Sequence, residues 1–153
     1  MIEEFLAAEH RAGRLRLPLQ PLPQTRALVH GHCHQKAFDA MGAVREVLAL
    51  VPGLEVEVIE SSCCGMAGSF GYEARHYDIS MRMAELSLLP AVRAADTNTL
   101  IVADGTSCRH QLADGTRSSH GQGMGVPAAL HVVRVLARAL ATNAGDTAPP
   151  ARS

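Results

Sequence analysis

The sequence is poor in aromatic residues and nearly neutral overall. It has no tryptophan, two tyrosines and three phenylalanines, so aromatic platforms that stack nucleic-acid bases are not expected. The formal net charge is −1 and the positive residues are dispersed, which gives no electrostatic basis for binding a phosphate backbone. We therefore predict no nucleic-acid partner.

Long apolar runs are also missing, and the chain opens on the acidic stretch Met1-Ile2-Glu3-Glu4. Because these features are missing, we predict that the chain has no signal peptide and no membrane span, and a cytoplasmic location is the default. Peripheral association with a membrane is left open. Four cysteines without an export signal favour reduced thiols, and hence metal or redox chemistry, over a disulfide framework. The short C-x-x-C spacing of zinc ribbons and ferredoxins does not occur.

Apolar periodicity predicts three strands, each followed by a helix. With 153 residues, 47% of them hydrophobic, one domain can bury roughly 70% of its unfolded surface. The alternation predicts an α/β fold, a small three-layer domain with a parallel sheet of strand order 2-1-3 flanked by helices. The alternating second strand is expected at an edge, and the apolar third strand in a central position. The predicted strands cover residues 26–30, 54–58 and 99–103.

The predicted domain organisation has three parts. Residues 1–25 form an N-terminal helix, over 2–14, and a proline-rich connector that resembles the tail of an upstream domain. Residues 26–141 form the cysteine-rich domain, and 142–153 a disordered tail. A glycine- and serine-rich loop is expected over 115–125, and Pro90 should kink or restart a helix. Two helix faces are predicted: Tyr77, Met81, Ala84 and Leu88; and, in a last helix that has Pro127 in its first turn, Ala129, Leu130, Val133, Leu136, Ala137 and Leu140.

Each cysteine comes shortly after a predicted strand. Cys33 follows the first strand, Cys63 and Cys64 follow the second, and Cys108 follows the third. Parallel strands end on the same side of a sheet, where ligands bind, so the four thiols are predicted to converge on one site. Three or four thiolates suit zinc or iron–sulfur chemistry.

The loop after the second strand, SSCCGMAGSFG over residues 61–71, contains two adjacent cysteines and repeated glycines. The Cα atoms of adjacent residues lie about 3.8 Å apart, which is shorter than an ordinary disulfide prefers. Such a pair suits metal or cluster ligation, a strained vicinal disulfide, or simply a tight turn with two buried thiols. Gly65 and Gly68 allow backbone N–H groups to point at one anion, so we predict that they contact the cofactor.

Histidines cluster near two of the cysteines. An extended backbone from His30 to His34 would place three imidazoles on one side and the Cys33 thiol on the other, so at most one or two would join the thiols. His34 and His110 are the predicted contacts with the cofactor. His131, on a helix face shared with Arg134 and Arg138, is predicted to be exposed, as is His76. Arg109 can add positive potential near Cys108.

Three motifs carry a resemblance to a known family: HGHCHQKAF, SSCCGMAGSFGYEARHYDISMRMAEL and IVADGTSCRHQL. They resemble the cysteine-rich CCG domain, specifically its second copy at the C-terminal end of FAD-linked 2-hydroxy-acid oxidoreductases of the D-lactate and glycolate dehydrogenase type. The resemblance runs from about residue 26 to residue 136, and the family is related to heterodisulfide reductase and to iron–sulfur subunits of glycerol-3-phosphate dehydrogenase. It implies electron transfer through an iron–sulfur cluster, or sometimes a zinc ion, with Cys33, Cys63, Cys64 and Cys108 as ligands.

The sequence departs from that family in two respects. Gln111 stands where the pattern has its last cysteine, and the chain contains no flavin domain, ferredoxin motif or first CCG copy. The resemblance therefore implies FAD on a partner flavoprotein subunit or on upstream domains, and no catalysis by this chain alone.

Two other functions remain open from the residues. A redox-silent zinc site could hold the three loops together for docking a partner subunit. Alternatively, Cys63 or Cys64 could act as an enzymatic nucleophile with a histidine as base.

Overall fold

Three parallel strands form a sheet of order β2-β1-β3, as predicted, in a computed structural model that describes residues 1–117 and 126–140. Arg26 pairs with Glu55 on one side and Thr99 on the other, and the register continues to Val58 in β2 and to Ala103 in β3. The elements are α1 (Ile2–Arg11), β1 (Arg26–His30), α2 (Cys33–Ala37), α3 (Met41–Leu48), β2 (Glu55–Val58), α4 (Tyr77–Glu85), α5 (Leu88–Arg93), β3 (Thr99–Ala103), α6 (Thr106–Gly115) and α7 (Val132–Ala139), with short 3-10 turns at Phe70–Tyr72 and Ala74–His76.

Helices cover both faces of the sheet, which confirms the three-layer prediction. Successive strand residues point to opposite faces, so each strand contributes to two apolar clusters. Val29 and Val102 pack with buried residues of α1, α3 and α7. Leu28 and Ile101 pack with buried residues of α4, α5 and α6.

The two outer strands differ in burial. The alternating strand β2 lies at an edge, as expected, with Glu55 and Glu57 exposed. β3 also lies at an edge of the three-stranded sheet, so its predicted central position was wrong. All five of its residues are nevertheless buried, because helices cover both faces of the sheet and the backbone of Leu130 pairs with the outer edge of β3. Ala103 N–H donates to the Leu130 carbonyl at 2.8 Å, and Leu130 N–H donates to the Ile101 carbonyl at 2.8 Å.

This pairing also corrects the prediction for the last helix. Because Leu130 is engaged with β3, the helix begins at Val132 and not near Pro127. The buried face therefore comprises Val132, Val135, Leu136 and Ala139. Of the predicted face, Val133, Ala137 and Leu140 are exposed.

The other helix predictions hold with local changes. The helical pattern after the first strand divides into α2 and α3, with Asp39 between them at a φ of 53°. A new helix, α5, begins at Leu88, two residues before Pro90, as predicted. Tyr77 is 43% exposed, so its place on the buried face was wrong, whereas Ala84 and Leu88 are buried.

Helix α1 is shorter than predicted and packs against α3, with Ala7 fully buried in the core. Three leucines of the connector, at positions 17, 19 and 22, pack against the same cluster. In the described residues, no helix combines the length and apolar character needed to cross a membrane. The predicted tail and most of the predicted loop over 115–125 fall outside the described residues.

Candidate metal centre

The carboxyl ends of the strands bring two cysteines and one histidine together. Cys64 follows β2, Cys108 lies in the first turn of α6 after β3, and His30 is the last residue of β1. All three are buried, and one ligand atom from each lies within 4.8 Å of the others. Two thiols and an imidazole at this spacing can hold a metal ion.

His30 is oriented for this role by a serine. Its Nδ1 lies 2.9 Å from Ser61 Oγ, in a contact that fixes the ring. Its Nε2 is buried and has no hydrogen-bond partner among the described residues. A buried polar atom without a partner is unfavourable, so a ligand at this position would satisfy it. The donor set therefore fits a soft or borderline metal centre.

The pKa values of the two buried thiols are shifted in opposite directions. Contact with the Cys108 thiol, together with His30 and the Met66 N–H group, lowers the pKa of Cys64 to about 4 against the opposing effect of burial. The same contact, followed by burial, raises the pKa of Cys108 well above its ordinary value. The surroundings therefore favour the thiolate form of Cys64, and a thiolate is the form that binds metal.

The remaining two cysteines lie at the open side of this pair. Cys33, the first residue of α2, is exposed, and Cys63 is half-buried. Burial raises the pKa of Cys33 first, and contact with the Cys63 thiol raises it further. Electrostatic interaction with Cys33 and Cys63 also raises the pKa of Cys108, so the four sulfurs act on one another. All four cysteines are free, so the adjacent pair forms no disulfide.

Glycine conformation shapes the loop that carries the adjacent cysteines. Gly65 has a φ of +97° and Gly68 a φ of +67°, values that L side chains rarely adopt. The Gly65 N–H donates to Cys63 Sγ at 3.3 Å, as expected for a loop that presents N–H groups to sulfur. Ala67, without that freedom, has a φ of 41°.

Two polar side chains hold together the elements around the cysteine loop. Lys36 on α2 donates from Nζ to the carbonyls of Ser61 and Ser62, the latter at 3.0 Å. Gln111, buried in α6 at the position of the missing cysteine, donates from Nε2 to Ser80 O at 3.0 Å and to Ser80 Oγ at 2.9 Å. The glutamine therefore joins α6 to α4.

The histidines predicted as contacts lie in other surroundings. The exposed His34 ring packs on Phe38, with centroids 4.5 Å apart, and His110 Nδ1 lies 2.6 Å from the Tyr72 hydroxyl. Neither belongs to the group of ligand atoms around Cys64 among the described residues, and their contact with a cofactor stays a prediction. The extended backbone assumed for this stretch was wrong, since α2 begins at Cys33.

Sequence reasoning did not single out His30. The signal was its place as the last residue of a buried strand, directly before the edge where the cysteines gather. His76 was expected to be exposed, but it is half-buried and stacks on Phe70, with centroids 4.1 Å apart. Arg109 donates to the carbonyls of Ala103 and Asp104 at 2.9 Å and 2.7 Å, so its guanidinium group satisfies two backbone acceptors at the end of β3.

His131 was predicted to be exposed, and that prediction was wrong. It caps α7, where Nδ1 accepts the Val133 N–H at 3.2 Å. Its side chain is 31% exposed and faces Asp104 and Glu3, away from the helix face of Arg134 and Arg138.

Comparison with known proteins places parts of this chain beside segments of two dehydrogenases. One subunit of the anaerobic glycerol-3-phosphate dehydrogenase of Escherichia coli K12 is 32% identical over 102 residues, which are 65% of this chain and 24% of the relative; its counterpart of the same name from strain O157:H7 matches equally. D-2-hydroxyglutarate dehydrogenase of E. coli K12 is 34% identical over 94 residues, 59% of this chain and 9% of the relative. The chain is related to parts of dehydrogenases.

The chain thus spans a quarter or less of the length of these curated relatives. No protein family matches it, and no solved structure matches it. The relationship therefore concerns one segment of each dehydrogenase.

Proposed function

We propose that this chain is a metal-binding electron-transfer domain of an oxidoreductase, and that it holds an iron–sulfur cluster. The observation that carries the proposal is the buried group formed by Cys64, Cys108 and His30 at the strand ends. Its relatives by sequence are dehydrogenases, which supports a redox role for a thiol-rich site. When bound, the cluster would supply one-electron transfer at a potential set by its surroundings.

The ligands we propose are Cys33, Cys63, Cys64 and Cys108, with His30 close enough to replace or support one of them. The chain would hold the group through Cys64, whose surroundings lower its pKa and favour the thiolate, and through His30, whose ring is fixed by Ser61. The N–H groups of the loop around Gly65 and Gly68, together with His34 and His110, are the proposed surroundings that tune its potential.

The proposed partner is a flavoprotein subunit, or upstream domains of the same oxidoreductase, that carries FAD and oxidises a 2-hydroxy acid of the D-lactate or glycolate type. This follows the motif resemblance, and one relative is by name a dehydrogenase of a 2-hydroxy acid. The other relative is by name one subunit of a dehydrogenase, which supports a division of labour between chains. In this proposal the chain works in the cytoplasm and does not oxidise substrate alone.

Metal and sulfide content after anaerobic purification tests the proposal. We expect iron and acid-labile sulfide in about equal amounts, a brown colour, and visible absorption that bleaches on reduction. Colourless protein with one zinc per chain and no iron would eliminate the electron carrier. It would favour the alternative, a structural zinc site that fastens three loops and docks a partner.

The zinc alternative is supported by one specific observation. A tetrahedral zinc site takes sulfur and imidazole ligands, and Cys64, Cys108 and His30 already provide three of the four. Cys63, whose charge acts on Cys108, could complete the set. Such a site would be redox-silent, because zinc has one stable oxidation state in proteins.

A thiol enzyme is less well supported, because the two properties it needs fall on different residues. The acidic thiol, Cys64, is only 2% exposed. The exposed thiol, Cys33, has a raised pKa and is therefore the weaker nucleophile at neutral pH. Rapid iodoacetamide labelling of one thiol in metal-loaded protein would reverse this ranking.

His30 offers a separate test of the ligand set. Changing His30→Gln should weaken metal binding by about 10- to 100-fold, because it removes the buried Nε2 beside the sulfurs. Competition with a chelator on reconstituted protein measures the change. His10→Gln, on the exposed end of α1, is the matched control and should leave the affinity unaltered. Equal affinity in both variants would contradict a role for His30, and His34→Gln and His110→Gln would test the predicted contacts in the same series.

A further inference from the structure

A second group of ligand atoms lies in a cavity of about 320 Å³ beside Gly105. We propose that Glu3, Asp104 and His131 form a site for a divalent cation, separate from the cysteines. One ligand atom from each lies within 4.8 Å of the others. Two carboxylates and one imidazole are a donor set for ions such as Mn²⁺ or Fe²⁺, harder than those that thiolates select.

The three residues come from three different elements of the fold. Glu3 lies on α1, Asp104 follows β3, and His131 caps α7. The imidazole lies between the two carboxylates, with Nε2 3.9 Å from Glu3 Oε1 and Nδ1 3.4 Å from Asp104 Oδ1. An imidazole gives only one of its nitrogens to an ion. Ligand atoms held at about 2.1 Å from one ion lie up to about 4.2 Å apart, compared with at most 4.8 Å here, so small side-chain rotations would close the site.

Glu3 provides an independent reason for a cation here. Its side chain is 2% exposed and lines the cavity, yet no hydrogen bond to its carboxylate occurs among the described residues. The His131 contact, at 3.9 Å, is longer than a hydrogen bond. The Met1 ammonium group nearby is engaged by Glu4 at 2.5 Å. The Met1 ammonium group also attracts the charge of Glu3 but makes no hydrogen bond to it. A bound cation would satisfy this enclosed carboxylate directly, because buried charges are stable only when they are paired or coordinate a metal.

Asp104 is held in place by its neighbours. Its Oδ2 accepts from Gln35 Nε2 at 2.7 Å, and its Oδ1 accepts from Val132 N–H at 2.8 Å. These bonds fix the carboxylate at the junction of α2, β3 and α7 and leave each oxygen a further lone pair for an ion. A bound cation would therefore join α1 to this junction.

Gly105 separates this cavity from the cysteines. A Cβ added to it would lie 2.5 Å from the ring of His32, which lines the cavity, and 3.0 Å from Cys108 Sγ. The two sites are thus neighbours at one edge of the sheet but share no ligand. Their metal preferences differ, so they can be tested independently.

Titration with Mn²⁺, followed by the loss of its free electron paramagnetic resonance signal, tests the proposal on the full chain. We expect one saturable Mn²⁺ per chain. Glu3→Gln and His131→Asn should each weaken binding at least about tenfold, and asparagine retains the helix cap. The matched control Glu4→Gln, on the exposed side of α1, should bind as the unmodified chain does. Cys64→Ser should also leave Mn²⁺ binding intact, which distinguishes this site from the cysteine centre.

Thermal unfolding gives a second test. If Glu3 only stabilised the fold, Glu3→Gln would melt at a lower temperature than the unmodified chain, whereas a cation site predicts the opposite in the absence of metal. Without metal, Glu3→Gln should melt at the same or a higher temperature than the unmodified chain, because a buried charge is removed. Saturating Mn²⁺ should raise the melting temperature of the unmodified chain by several degrees and that of Glu3→Gln by much less. No saturable Mn²⁺ binding, or binding by folded Glu3→Gln and His131→Asn within twofold of the unmodified chain, would overturn the proposal.

Discussion

Changing Cys108→Ser is expected to remove the bound metal from the purified protein. Cys108 is 1% exposed and lies in the buried group with Cys64 and His30, so its thiol is enclosed within the site. A serine hydroxyl is a poor substitute for a thiolate toward zinc or iron. We expect the affinity for the metal to fall at least about 100-fold. Loss of a residue that only supports a metal ligand costs up to about 100-fold, and loss of a ligand should cost at least as much. Metal content per chain, measured on protein purified anaerobically, provides the readout.

A neighbouring packing change separates ligand loss from general damage. Leu112 is buried one turn further along α6, and Leu112→Val should cost about 1 kcal/mol of stability through lost packing. Its metal content should match that of the unmodified chain. Full metal content in Cys108→Ser, or equal losses in both variants, would count against Cys108 as a ligand.

Changing Gly65→Ala is expected to destabilise the protein by about 3 kcal/mol or more and to displace the cysteine loop. Gly65 has a φ of +97°, and an added Cβ would lie 2.2 Å from the backbone oxygen of Ser80. That oxygen belongs to α4 and accepts a hydrogen bond from Gln111, so it cannot move without disturbing both helices. Urea unfolding gives the stability change, and metal content reports the displacement of Cys64.

Gly68 offers the matched comparison within the same loop. Its φ is +67°, but nothing lies within 4 Å of an added Cβ. Gly68→Ala should therefore suffer only backbone strain, about 1 kcal/mol, and keep its metal. If the two alanine variants were equally stable, close approach to Ser80 would not be the reason for glycine at position 65.

The order of the strands followed from properties that are local in sequence. Strict alternation over 54–58 indicated an edge strand, and short strand–helix alternation indicated parallel pairing with right-handed crossovers. The apolar run over 99–103 was harder to place. An apolar sequence is compatible with a central strand and also with an edge strand whose outer side pairs with a single residue. Leu130 provides that cover, and no periodic pattern in the sequence marks it.

Local patterns along the chain were enough to define the sheet, its strand order and the edge at which the chemistry gathers, since parallel strands end on one side whatever their side chains do. The choice of the imidazole that joins Cys64 and Cys108 required the folded arrangement. The direction of His30 depends on its place in β1 and on the position of Ser61 across the edge. The meeting of Glu3 with Asp104 and His131 likewise depends on how α1 packs. Ligand spacing of this kind arises from contacts between residues far apart in the chain, which local periodicity does not encode.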